Sequence, residues 1–337
     1  MLMQPYLSKN GKVVDYDDIN CLHYSTLKLL SQNVRAFKER IDEELDNENE
    51  ATVARTKKHF LVGECVDVLF TNYDSFDQKY IVFEGKEAGD KASAVLHTML
   101  IDSINLETID ADELKNICHF NNFYTNWKDG EAHRRELLKH KDYYNFLLAA
   151  QGKTVLDLNT HTTIQNTFNR INSGRYTNPF LMDLFNNYEV YPQYCSFGLV
   201  LGTPYKGRLD LFAINHVSKT IRIVDIKTMW KHTKNFTKDY DNFRYGLQAV
   251  GYVELIKQEY PDYQIEYFFI VESTNAKLSS PVIYQISENM LYEEMYGNES
   301  KRKVGFSELI DTYNYHDVTQ EWEYERNVVE NKGVLIL

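Results

Sequence analysis

Glycine (15) and proline (6) are scarce among the 337 residues, which excludes a collagen-like or low-complexity chain. Cysteine is scarcer still: Cys21, Cys65, Cys118 and Cys195 stand far apart, with no CxxC unit. A zinc ribbon or a local iron–sulfur cluster is therefore not expected, and scattered thiols fit a reducing compartment. No run of 18 apolar residues occurs, so no membrane span is expected. Met1 to Asn10 lacks an apolar h-region, so no signal peptide is expected either. The expectation is a soluble, cytoplasmic protein. An excess of basic charge is also missing: 37 Lys and Arg face 49 Asp and Glu, a net charge of −12. That balance argues against coating nucleic acid through a broad basic surface, but not against gripping it in one cleft with the help of metal ions. What is abundant is aromatic: 25 Tyr and 18 Phe exclude disorder throughout.

Along the chain, residues 1–20 read as an extended lead-in. A helix is expected to open at Tyr24-Ser25-Thr26-Leu27, capped by Ser25 or Thr26. Lys38 to Glu50 reads as solvated helix and loop, and 56–72 as a buried helix. A short strand at Tyr80 to Phe83 precedes helical patterns over 111–150. Gly152-Lys153-Thr154 is not a phosphate loop, because Leu147 stands where the second glycine is needed; it reads as a turn before a helix at 160–173. After residue 187 the texture becomes β-rich: Tyr188 to Phe197, Leu199 to Gly202, Tyr205 to Ile214 and Thr220 to Thr228, with a hairpin loop at 215–219. A helix over about 240–259, ended by Pro261, leads to strands at Gln264 to Glu272 and Val282 to Ile286, then a charged helical tail. The expectation is one domain over 1–337, mostly helical over 20–187, with a catalytic core at 188–286 and a helical tail at 287–337.

The chemistry concentrates in Gly207-x-x-Asp210 and Asp225-Ile226-Lys227. Strand alternation puts Asp225 and Lys227 on one face, and a hairpin can bring Asp210 alongside. Two close carboxylates repel, and one would normally take up a proton unless a cation compensates. Oxygen ligands suit Mg²⁺, with Mn²⁺ able to substitute. With a lysine beside them, such carboxylates suit metal-assisted phosphodiester hydrolysis. Glu189, just before the first long strand, is a candidate third carboxylate. Gln248 and Tyr252 are four apart on a helix, so they share a face from which both can hydrogen-bond phosphate or water. Ile226 to Arg244 holds four Lys and one Arg against two Asp, net +3. Lys206, Arg208, Lys231, Lys234, Lys238 and Arg244 are the candidate phosphate contacts.

In order and spacing, Gly207-x-x-Asp210, Asp225-x-Lys227 and Gln248-x-x-x-Tyr252 resemble the PD-(D/E)xK nuclease superfamily. The Gln-x-x-x-Tyr element is similar to that of the exonuclease branch with RecE (exonuclease VIII), lambda exonuclease and the RecB nuclease domain. Tyr24-Ser25-Thr26-Leu27, Gly63 to Asp67 and the tail around Tyr313, His316 and Trp322 extend the likeness to about 20–330. Asp67 departs from the pattern by standing where the branch has His. The resemblance implies a restriction-endonuclease-like α/β core: a mixed central β-sheet flanked by helices, with helical elaborations at both ends. It implies Asp210, Asp225, the Ile226 carbonyl, Glu189 and Asp67 as Mg²⁺ ligands. Lys227 would orient or deprotonate the attacking water, and Gln248 and Tyr252 would steady the site. It further implies 5′ to 3′ digestion of double-stranded DNA ends in phage-type recombination, a homo-oligomer, and a single-strand annealing protein as partner. Two other readings stay open: an endonuclease of the same superfamily, and a nuclease-fold DNA-binding protein without catalysis.

Overall fold

The computed structural model describes residues 16, 19, 21–46, 58–301 and 303–334. Most of the expected lead-in over 1–20, and the end of the charged stretch past Asp46, lie outside the described residues. The chain divides into two compact units, Glu64–Asn166 and the rest. The boundary falls inside two helices, Lys58–Thr71 and Leu158–Ser173, so the helical half expected over 20–187 is shared between the units.

In the smaller unit β1 (Tyr80–Phe83) pairs in parallel with β2 (Thr154–Asp157). β2 stands between the Gly152 turn and the helix, where none was expected. Around it the helices Asp90–Ile101, Ala111–Phe120, Gly130–Leu137 and Lys141–Ala149 bury Val95, Leu96, Met99, Leu114 and Leu137. Asp110 starts one of them, its carboxylate accepting the Asp112 and Glu113 N–H groups at 2.9 and 3.2 Å.

The larger unit is built on β3 (Glu189–Val200), β4 (Thr203–Asn215), β5 (Thr220–Met229), β6 (Gln264–Ser273) and β7 (Val282–Gln285), side by side in that order. Only β5 and β6 run parallel; every other neighbouring pair is antiparallel. A parallel pair needs a crossover, and helices Phe236–Phe243 and Tyr245–Glu259 supply it. The result is a mixed sheet flanked by helices. The expected short strand Leu199 to Gly202 is instead the end of β3 and a tight turn, with Leu201 and Gly202 both at positive φ. At the next hairpin Asn215 Oδ1 accepts the Val217 and Ser218 N–H groups, both at 3.0 Å, and closes the turn.

The single helix expected over 240–259 is two, because Arg244 adopts the left-handed conformation (φ 56°) and breaks the ladder. The second of them, Tyr245–Glu259, is buried over nearly its whole length. It lies so close to β4 that a Cβ on Gly207 would come within 2.7 Å of the Tyr252 ring, and one on Gly251 within 2.6 Å of the Tyr205 ring. Helix Tyr24–Leu30 is capped by His23 instead of Ser25 or Thr26; Thr26 Oγ1 accepts the His23 N–H at 3.1 Å. Among the described residues no helix is long and apolar enough to cross a membrane.

Candidate functional site

Main-chain pairing between β4 and β5 ends at Leu211 opposite Val224. Beyond that point Asp210 uses its side chain instead: Oδ2 accepts the Ile226 N–H at 2.8 Å. The next residue of β5 on that side of the gap, Asp225, is almost wholly buried (1% exposed). Gln248 Nε2 donates to Asp225 Oδ1 at 2.6 Å, and Lys227 Nζ lies 2.5 Å from Oδ2. Gln248 Nε2 is also 3.5 Å from the Tyr252 hydroxyl. Asp210, Asp225, Ile226, Lys227, Gln248 and Tyr252 are thus brought together where two strands part.

Electrostatics follow from burial and pairing. Burial pushes the Asp225 carboxyl above its ordinary value, against the pull of the Lys227 ammonium and the Gln248 amide. Burial works against the Lys227 ammonium, but the Asp225 and Asp210 carboxylates outweigh it and hold the group above its usual range. Two carboxylates against one ammonium leave the group one negative charge in excess.

Several neighbours escaped the sequence. The Tyr245 ring lies under Lys227, 5.0 Å from Nζ. Tyr245 is three residues before Gln248, so helical spacing was a usable signal for it. Tyr24 comes from a distant helix, 6.3 Å from Tyr245 ring to ring, and donates its hydroxyl to the Phe243 carbonyl. Tyr267 on β6 points a fully buried hydroxyl into the same region, and burial, then Asp225, keeps it well above the ordinary phenol range. Tyr24 stands in the helix-opening segment that carries part of the resemblance, though nothing there placed it at the site; no local pattern announces Tyr267.

Glu189 and Lys206 stand elsewhere. Glu189 is exposed and pairs with Ile214, four residues along β4 from Asp210, or ~13 Å of strand. Its carboxylate accepts the Tyr191 hydroxyl at 2.9 Å, and it does not join the site. Asp67 lies on the Lys58–Thr71 helix in the smaller unit. Lys206 is buried, its ammonium donating to the Tyr16 and Ile19 carbonyls at 2.9 and 2.7 Å, so it holds the chain and is not displayed for phosphate. Arg244 is half-buried and donates to the Val304 carbonyl; burial lowers its pKa. Arg208, Lys234 and Lys238 are exposed, and Lys231 is partly so, 3.9 Å from Asp239.

Among the described residues no group of three His, Cys, Asp or Glu side chains is placed to hold a metal ion. A pair of carboxylates is nonetheless a common Mg²⁺ set, because that ion keeps several waters and shares phosphate oxygens. The excess negative charge and the main chain of Ile226 between the carboxylates fit such an ion.

The fold is a mixed α/β core: a five-stranded mixed sheet flanked by helices. No family model matches the chain, and no curated protein matches its sequence. Among solved structures, the protein from Eubacterium rectale named "Putative exonuclease" is similar, with a TM-score of 0.50 and 14% identity. The match covers 98% of this chain and 95% of that one. At that identity the likeness is one of fold.

Proposed function

We propose that the chain is a Mg²⁺-dependent deoxyribonuclease of the PD-(D/E)xK exonuclease branch, hydrolysing phosphodiester bonds from the ends of double-stranded DNA in the 5′ to 3′ direction. The observation that supports this most is the meeting of Asp210, Asp225 and Lys227 where β4 and β5 separate, with Gln248 fastened to Asp225. Asp210, Asp225 and the Ile226 carbonyl would hold the ion. When bound, it would lower the pKa of a water and neutralise phosphate charge.

The chain's own residues supply the rest. Ile226 N–H and the Gln248 amide fix one oxygen of each carboxylate, so the pair stays aimed at one place. Lys227, kept as an ammonium by those carboxylates, donates to water or to a phosphate oxygen as charge develops. Tyr252, wedged on Gly207, limits how far Gln248 can swing. The likeness of fold to a protein named as an exonuclease agrees with this reading. A ring-shaped homo-oligomer and a single-strand annealing partner belong to the same proposal through the sequence resemblance.

The test is digestion of linear duplex DNA with Mg²⁺ or Mn²⁺, beside closed circular DNA and with either 5′ end labelled. Loss of linear DNA from its 5′ ends, with the circle intact, is expected. Equal cutting of the circle would make the protein an endonuclease, and binding without cutting in either metal would make it a non-catalytic member of the fold.

A further inference from the structure

The segment 230–243 links β5 to the site helix Tyr245–Glu259, and each of its ends carries an exposed aromatic ring under a lysine. Trp230, the residue after β5, is 67% exposed, with Lys231 Nζ 5.3 Å from its ring centre. Phe243, the last residue of its helix, is 43% exposed, with Lys28 Nζ 4.9 Å from its ring centre. Between them Lys234 and Lys238 are exposed. A lone exposed aromatic residue calls for no explanation. Two at the ends of one basic segment, each beside a cation, form the combination that holds a single nucleic-acid strand: π-faces for bases and ammonium groups for phosphates.

Both rings are tied to the candidate site. Trp230 follows Lys227 by three residues, ~10 Å of extended chain. The Phe243 carbonyl accepts the hydroxyl of Tyr24, which stands beside Tyr245 next to Lys227. Neither ring contributes to the buried core; the helix between them buries Phe236 and Tyr240 instead. Stacking on them also ignores base identity, as an enzyme acting on any DNA end requires.

We infer that Trp230 and Phe243 are stacking stations for the unpaired bases of a frayed DNA end, with Lys28, Lys231, Lys234 and Lys238 taking its phosphates. The inference rests on the nuclease reading for the place of the strand, but it concerns binding. Lys231 and its neighbour Asp239 form a loose pair that a phosphate could open.

The experiment is fluorescence anisotropy in Ca²⁺ with a labelled single-stranded oligonucleotide and a duplex whose ends are closed by hairpins. Trp230→Ala should weaken binding of the oligonucleotide roughly tenfold. Trp230→Phe should stay near wild type, and the closed duplex should bind both variants as it binds wild type. An unchanged Trp230→Ala, or an equal loss on the closed duplex, would overturn the inference. A wild-type protein that grips the oligonucleotide through Trp230 yet cuts nothing in Mg²⁺ or Mn²⁺ supports the inference and sinks the nuclease reading. Cutting of linear duplex with Trp230→Ala indistinguishable in binding sinks the inference alone.

Discussion

β5 carries two groups of the same composition, one near each end. Near its start Arg222 stands between Asp183 at 2.5 Å and Glu266 at 3.0 Å. Toward its other end Lys227 stands with Asp225 and Asp210. Each group has two carboxylates and one cation, so each sums to −1. At the start the guanidinium fork reaches both carboxylates, and the Arg222 bond holds the Asp183 carboxyl below its ordinary value. Toward the other end the ammonium pairs with Asp225, Asp210 turns to a main-chain N–H, and burial drives Asp225 up. The comparison teaches that formal charge does not mark a site. A fork that reaches both acids is one arrangement; the other ties one acid to the ammonium and the second to a main-chain N–H.

Exchanging the two groups in a mutational test gives the largest expected effect. Lys227→Ala should lower the rate of linear-DNA cleavage by at least about a hundredfold, the scale for removing one charge-stabilising donor. Arg222→Ala should leave the rate close to wild type while lowering the melting temperature. A reversal of that pattern in steady-state assays would break the comparison.

Next comes Gly207→Ala. A Cβ there would sit 2.7 Å from the Tyr252 ring, within the helix that also carries Gln248. Overpacking of this kind costs ~1–3 kcal/mol. Chemical denaturation should show that loss, with a fall in activity as Gln248 is displaced. Unchanged stability would mean that the helix yields freely.

The smallest expected effect concerns a third carboxylate, Glu272 on β6, which is fully buried and bonded by Arg170 at 2.9 Å. Burial raises its pKa, against the Arg170 pairing. A raised folded-state value means that the protonated form is favoured on folding. Its contribution is therefore full below the ordinary value of 4.5 and is lost as the pH rises through the raised one. Glu272→Gln should gain in melting temperature relative to wild type as the pH climbs through that window. A constant difference across pH would show that Arg170 compensates the carboxylate completely.

The part of the site most legible beforehand is the part fixed by short-range geometry. Asp225 and Lys227 share a face because strands alternate, and the 215–219 hairpin sets Asp210 next to them because its turn closes over Asn215. Gln248 and Tyr252 share a helix face for the same kind of reason. Glu189 shows where such reasoning stops. Lying just ahead of the β-rich region did not place it at the site, because antiparallel register carried it past Asp210 to Ile214. Lys206 reads as a surface cation beside a glycine, yet two carbonyls of a segment nearly two hundred residues away enclose it. Arg244 interrupts a helix whose pattern ran through it, and the Val304 carbonyl that holds its side chain is sixty residues on.

By itself the sequence determined the order of strands and helices after residue 187, the local pairings of acid and lysine, and the small residues that let helix and sheet touch. Tertiary structure alone decided that Asp225 is buried, that Tyr24 and Tyr267 stand near it, that Glu189 does not, and that Arg222 reaches two carboxylates by ion pairs while Lys227 pairs directly with Asp225. The physical reason is range. Backbone alternation and hairpin closure act over a few residues and leave a periodic trace. Burial and charge compensation depend on which distant groups arrive at the same place, and no local pattern records that.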